Sequence, residues 1–352
     1  MAKVGLGLDI GTSSIKLLEL EGGNPFRINR FGIVPLPEGA LAGGVIKNSA
    51  AVTEAIQEAY RSQHLKNKRV QVAIAGQAVV VRNIKLPLIE DDAEVANAIY
   101  WEAERYIPFP VNEVSLDHIV ISRDQQQQEM EVMLVCAHND IINSHLEVLH
   151  RAGLQPVAID IQPFALMRAL GLEKALNNQN IAVMDIGAGT SDLSIFKNGI
   201  SKFTRILPLG GIRYTENIMK VMGNSFGEAE QLKLELGDAT ADLTMLAPDS
   251  PEYKVNYSIQ NTLRELVLEL RRSLDYYYLQ QRGEEIGKLI VCGGGVKMKN
   301  LTTYLQQELD LKVGSSLDAW NIVCSDPIKT EFEIAKPLML VALGLALREV
   351  TD

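Results

Sequence analysis

The chain has 352 residues, with 34 basic and 44 acidic side chains and a formal net charge of −10. That length can bury a substantial core in two domains or lobes, and the acidic balance excludes a sequence-independent grip on nucleic acid, which needs a basic surface. Three scattered cysteines, Cys136, Cys292 and Cys324, form no CxxC pair, which argues against both a zinc site and a disulfide framework.

Strand and helix patterns alternate in the α/β manner. Residues 4–20 read as two strands around the turn "DIGTSS", with another strand at 28–35. A helix is predicted over 49–62, capped by Asn48 or Ser49, and "RVQVAIAG" is a strand ending at Gly76. Residues 78–152 read as an inserted module. It comprises a strand at 78–86, a helix at 92–106, strands at 116–123 and 130–137 around the polar tip "RDQQQQEM", and a helix at 139–152. On the wheel of its first helix Val95, Ala98, Ile99 and Tyr106 share the buried stripe, whereas Trp101 falls off it among acidic neighbours.

The segment "VAIDIQPFALMRALG" leads into a helix, followed by the strand–turn–strand "VMDIGAGTSDLSIF". A polar stretch at 237–255 separates two helical patterns, the second burying Leu263, Leu266, Leu270, Leu274 and Tyr277. In "LIVCGGGVKMKNL" a strand runs into Gly293, Gly294 and Gly295, with a helix expected from about Lys297. The longest uncharged apolar stretch, residues 337–347, is far short of the ~20 residues of a membrane span and reads as a buried helix. Asp9 interrupts the first apolar run too early for a signal peptide, and the ending "REVTD" carries no amphipathic anchor, so a cytosolic chain is expected.

Each Asp-Ile-Gly segment alone is compatible with an ordinary β-hairpin. Two copies about half a chain apart suggest related halves facing each other, with two amide-rich turns able to hold a polyphosphate between them. Asp9 and Asp185 would then reach its Mg²⁺, mostly through water, because Mg²⁺ keeps several waters and takes few carboxylates. The three glycines let backbone approach a flat ligand, although they also suit a tight β–α turn. Neither a G-x-G-x-x-G fingerprint nor a G-x-x-x-x-G-K-[ST] loop is present.

The order of these motifs resembles the actin/Hsp70/FtsA ATPase superfamily over essentially the whole chain. That resemblance implies a two-lobed α/β actin-like ATPase fold, a duplicated ribonuclease-H-like core, with an FtsA-type inserted 1C subdomain. The implied subdomains are 1A (1–77, 153–175 and 335–352), 1C (78–152), 2A (176–212 and 285–334) and 2B (213–284). It implies ATP and Mg²⁺ as cofactors. "LDIGTSSIK" corresponds to the first phosphate motif, with Gly11, Thr12, Ser13 and Lys16. "MDIGAGTSDLS" corresponds to the second, with Gly187, Gly189 and Thr190. Gly210 and Gly211 match the glycine turn beside the phosphates, Glu230 and Lys233 the ribose pair, and Gly293–Gly295 the adenosine motif. Gln162 occupies the place near the attacking water. It can orient water but cannot take a proton as a carboxylate would, which points to slow turnover at most.

"WEAERYIPFPVNEVSLDHIVI" resembles the signature of the PilM family, cytoplasmic actin-like components of type IV pilus assembly. This implies an adaptor peripheral to the inner membrane, docked on the cytoplasmic N-terminal tail of a single-span PilN-like protein and working with other pilus assembly proteins. Trp101, Glu102 and Arg105 are candidate contacts for that tail, expected between the module and the first lobe. A sugar-kinase-like phosphotransferase or a filament-forming ATPase are the alternatives. The first would need a cleft-facing carboxylate base beyond the Asp9/Asp185 pair, and none is evident in the sequence.

Overall fold

The computed structural model describes residues 3–172, 179–281, 283–314 and 320–351, so the expected boundary at 175/176 lies outside the described residues. The first lobe opens with an antiparallel meander of β1 (Val4–Ile10), β2 (Ser14–Glu21) and β3 (Phe26–Pro35). A small hairpin, β4 (Leu41–Ala42) and β5 (Val45–Ile46), precedes α1 (Ser49–Ser62), whose N-terminus is capped by the Asn48 side chain accepting from the Ala51 amide. β6 (Arg69–Ile74) then joins parallel to β1.

The module follows as β7 (Val79–Pro87), α2 (Asp92–Glu102), β8 (Val114–Asp124), β9 (Glu129–His138) and α3 (Asn139–Arg151). Its strands form an antiparallel sheet of order β7-β9-β8, with the glutamine run at the hairpin tip. The chain returns through β10 (Gln155–Ile161), parallel to β6, and α4 (Gln162–Ala169).

The second lobe repeats the meander as β11 (Asn180–Ile186), β12 (Ser191–Lys197) and β13 (Ile200–Leu207). Helices α5 (Gly211–Met222), α6 (Phe226–Leu236) and α7 (Pro251–Gln280) follow, then β14 (Ile286–Cys292), α8 (Leu301–Leu309) and β15 (Val313–Gly314). α7 buries Leu263, Leu266, Leu270 and Tyr277 at helical spacing, with Leu274 packed at the margin. β16 (Ile322–Cys324) crosses back to the edge of β3, and α9 (Lys329–Ala335) and α10 (Leu340–Thr351) close the chain. The two large sheets have orders β10-β6-β1-β2-β3-β16 and β13-β12-β11-β14-β15.

Two helix boundaries differ from the sequence expectation, each for a local reason. α2 stops at Glu102 and tightens into a 3₁₀ turn at Ala103–Arg105, ahead of Pro108 and Pro110, which restrict the residues before them. The wheel therefore ends early: Ala103 takes the buried place, Ala98 is half-buried, and Tyr106 is 37% exposed rather than in the stripe. Near Lys297 the chain forms only a 3₁₀ turn, Gly294–Lys297. The regular helix waits until Leu301, after Asn300 in the left-handed region.

Three glycines explain how α10 lies flush on the first sheet and on α4. A Cβ at Gly5 or Gly7 would stand 2.1 or 2.0 Å from the carbonyl oxygens of Ala346 and Ala342, and one at Gly344 would stand 1.8 Å from that of Ala165. The buried Asp160 carboxylate at the end of β10 accepts from Arg168 of α4 at 3.1 Å and pairs with Arg348 of α10 at 3.3 Å. Both helices that run between the lobes are thus anchored to one strand end.

The module sheet buries both of its faces, by strict alternation along the strands. Val80, Ile84, Leu86, Met130, Val132, Leu134 and Cys136 pack under Val95 and Ile99 of α2. Val81, Met133 and Ala137 point the other way, into a cluster with Ile74, Ile141 and Ile161 that welds the module to the first lobe. The module also reaches the second lobe: the Asn83 amide donates to the Ser201 carbonyl at 3.0 Å, and Lys202 pairs with Glu131 at 3.2 Å.

Candidate functional site

The two Asp-Ile-Gly turns have the same backbone geometry. The Gly11 amide donates to the Ser14 carbonyl at 3.1 Å, and the Gly187 amide to the Thr190 carbonyl at 2.9 Å. Their tips abut, since a Cβ on Gly189 would lie 2.9 Å from Thr12 Oγ1. Above them opens a cavity of about 540 Å³ between the lobes. Asp9, Gly11, Thr12, Ser13 and Lys16 line it from one side, and Asp185, Gly187, Gly189 and Thr190 from the other. Gln162, Gly211, Glu230, Lys233 and Gly293–Gly295 complete the wall. Gly210 lies just behind it, where any Cβ would meet the Ala188 carbonyl at 2.4 Å, so the residue's bareness lets α5 close onto the turn.

Strand register places the charged groups. Asp9 is paired across the first hairpin with Lys16, and Asp185 across the second with Asp192. Lys16 Nζ bonds Asp9 Oδ2 at 2.9 Å, and Gln162 Nε2 donates to Asp185 Oδ2 at 2.6 Å. Burial, and secondarily the nearby Asp9 carboxylate, push Asp185 up to about 6 against the opposing pull of Lys16 and Gln162. Burial and the Asp185 carboxylate raise Asp192 to about 7, although Thr190 Oγ1 donates to it at 3.1 Å. Three carboxylates and one ammonium thus converge at the cleft floor.

Asp192 was missed by sequence reasoning. The signal that could have found it is the repeat itself, because Asp192 stands seven residues after Asp185, where the first copy has Lys16 after Asp9. Asp192 is the cleft-facing carboxylate that the sequence had not revealed.

On the second-lobe side of the cavity Lys233 Nζ bonds Glu230 at 2.6 Å, Thr215 Oγ1 at 2.9 Å and the Gly211 carbonyl at 3.1 Å. Thr215 also bonds Glu230, so α5 and α6 are locked together beside the cleft. The first two amides of α5, from Gly211 and Ile212, donate to the Gly187 and Ala188 carbonyls and are committed to the second turn. Gly293 has φ +82°, and a Cβ there would collide with Asp185 Oδ1 at 2.1 Å; nothing lies within 4 Å of one at Gly294. The glycine triplet thus combines a left-handed turn under the carboxylate with open backbone facing the cavity.

A smaller cavity of about 270 Å³ sits where the module, the first lobe and β12–β13 of the second meet, with Gln162 and Asp192 in the wall of both cavities. Trp101, Glu102 and Arg105 line neither. They belong to α2 and the turn after it, so the module sheet stands between them and the first lobe. The structure therefore does not bring these three residues to the module–lobe junction, and Arg105 is spent on Glu102 at 2.7 Å.

A duplicated strand–turn–strand core clasping one interlobe cavity defines the actin-like ATPase fold. Solved structures with that fold superpose on the chain, among them MreB5 of Spiroplasma citri bound to AMPPNP (16% identity, TM-score 0.55, 99% of this chain and 96% of that one). The cell division protein FtsA of Neisseria meningitidis is 25% identical over 371 residues, covering 96% of this chain and 88% of the relative. The family model of the type IV pilus assembly protein PilM matches residues 7–350, and the chain belongs to that family. A solved PilM-PilN type IV pilus biogenesis complex is similar at 30% identity and TM-score 0.85 over 98% of both chains. No described helix is long and apolar enough to cross a membrane.

Proposed function

We propose that this chain is a cytoplasmic ATP-binding adaptor of the type IV pilus inner-membrane assembly complex. It would be held at the membrane by the cytoplasmic N-terminal tail of a PilN-like protein. The observation that carries the nucleotide half is the pair of matching turns abutting at the floor of one interlobe cavity, with Lys16 as the cation beside them. The residues fit the ligand. Turn residues 11–13 and 187–190 would hold the phosphates, Glu230 and Lys233 would flank the ribose, and Gly293–Gly295 would take the adenosine. Among the described residues no group of three His, Cys, Asp or Glu side chains could hold a metal alone. Mg²⁺ would therefore be shared between phosphates and waters bonded to Asp9 and Asp185.

The partner half rests on family membership and on the small cavity at the junction of module and lobes. An extended tail entering there would contact the apolar cluster through Ile74, Val79 and Val81. The subdomain division given by the sequence remains part of this reading, with the module as 1C. Hydrolysis is weak or absent in it, since Gln162 bonds Asp185 and offers no base.

Asp192 favours a second reading, a phosphotransferase using it as base on a small molecule in the second cavity. Measuring ATP turnover with and without a panel of sugars separates the two. The adaptor reading expects no stimulation by any sugar; strong sugar-dependent turnover that Asp192→Asn removes would replace it with the second.

A further inference from the structure

The most conspicuous aromatic on the surface has no role in the reading above. Trp101 is 78% exposed, and Tyr100 packs edge-on against it at 5.7 Å while itself 48% exposed. On α2 Trp101 shares its outward face with Asn97 and Glu94, one and two turns back, and Glu104 follows in the 3₁₀ turn. Glu90, Asp91, Asp92 and Glu102 ring the same helix. The two nearby cations are already paired, Arg105 with Glu102 and Arg123 with Asp92. Among the described residues Glu94 and Glu104 have no ion-pair partner.

This is an aromatic platform between two free carboxylates, on the side of the module opposite the first lobe. We propose that it docks a second protein through a short segment bearing Lys or Arg, distinct from the membrane-protein tail. A cationic side chain laid over the Trp101 indole gains a cation–π contact, and Glu94 and Glu104 flank it with opposite charge. The acidic ring rejects the other occupants. A second copy would bring like charges face to face, and an anionic lipid surface would be repelled. The inference does not depend on where the tail binds, except that the two surfaces differ.

The test uses the full chain with Mg²⁺ and ATP, and octaarginine as a probe of cationic-segment recognition, with octaglutamate as control. Tryptophan fluorescence reports on Trp101, because the only other tryptophan, Trp320, is anchored with its indole donating to the Arg168 carbonyl. Saturable octaarginine binding is expected, weakening as salt rises and falling roughly tenfold in Trp101→Ala and in the Glu94→Lys/Glu104→Lys pair, read by calorimetry. Both variants change exposed side chains and keep the fold, which circular dichroism checks. Tail-peptide affinity should stay unchanged in both. Equal octaarginine binding by wild type and variants, or none at low salt, overturns the proposal. So does a loss of tail binding in Trp101→Ala, which would return Trp101 to the tail site.

Discussion

Asp185 is held at the cleft floor by three neighbours: Gln162 donates to it, Gly293 leaves room for it, and Asp192 faces it across the hairpin. Removing the carboxylate removes an acceptor for metal-bound water, so Asp185→Ala should weaken Mg²⁺·ATP binding by about tenfold or more in calorimetry. Unchanged affinity with the fold intact would take it out of the site. Gln162→Ala deletes one hydrogen bond to that carboxylate, worth about 1 kcal/mol, so affinity should fall only severalfold while any residual hydrolysis disappears. A loss as large as that of Asp185→Ala would make Gln162 a direct phosphate ligand. At this scale the repeat made most of the cleft legible in the sequence, because a turn's glycines and its flanking aspartate are local. The Gln162–Asp185 bond was not legible, since the two residues come from different lobes and meet only after folding.

Among the elements, α10 and α4 share one apolar cluster with Val183, Phe196, Ile290 and Cys292 of the second lobe, and their packing on each other and on the first sheet depends on missing side chains. Gly344→Val would drive two methyl groups and a Cβ into the Ala165 carbonyl, and should cost roughly 2 kcal/mol or more in denaturant unfolding. A wild-type midpoint would refute that close crossing. Asp160→Ala leaves the largely buried Arg168 without its carboxylate and should destabilise by about 3 kcal/mol, measured the same way. The pattern of apolar residues located α10 as an unbroken run, and Leu340–Leu347 are all buried. It misjudged the C-terminal end of α2 and the start of α8, where prolines, the glycine triplet and Asn300 override periodicity within one turn. It also set Trp101 beside the first lobe, because a wheel tells inside from outside but not which face of a neighbouring sheet the helix covers.

Over the whole molecule, the module touches both lobes at once: an apolar weld to the first, and the Asn83–Ser201 and Lys202–Glu131 contacts to the edge of the second. Lys202→Glu would set two carboxylates against each other there. Faster hydrogen exchange in β7 and β13 is expected, restored when Glu131→Lys is added; identical exchange in all three proteins would mean the contact is idle. The small cavity at this three-way junction shares Gln162 and Asp192 with the interlobe cavity, so the proposed partner and nucleotide sites adjoin. The most direct test is a calorimetric titration of the cytoplasmic N-terminal peptide of the PilN-like partner into the full chain loaded with Mg²⁺ and ATP. Saturable one-to-one binding is expected, abolished by Val81→Asp at the junction and left intact by Trp101→Ala; no binding to the folded wild-type chain would contradict the adaptor role.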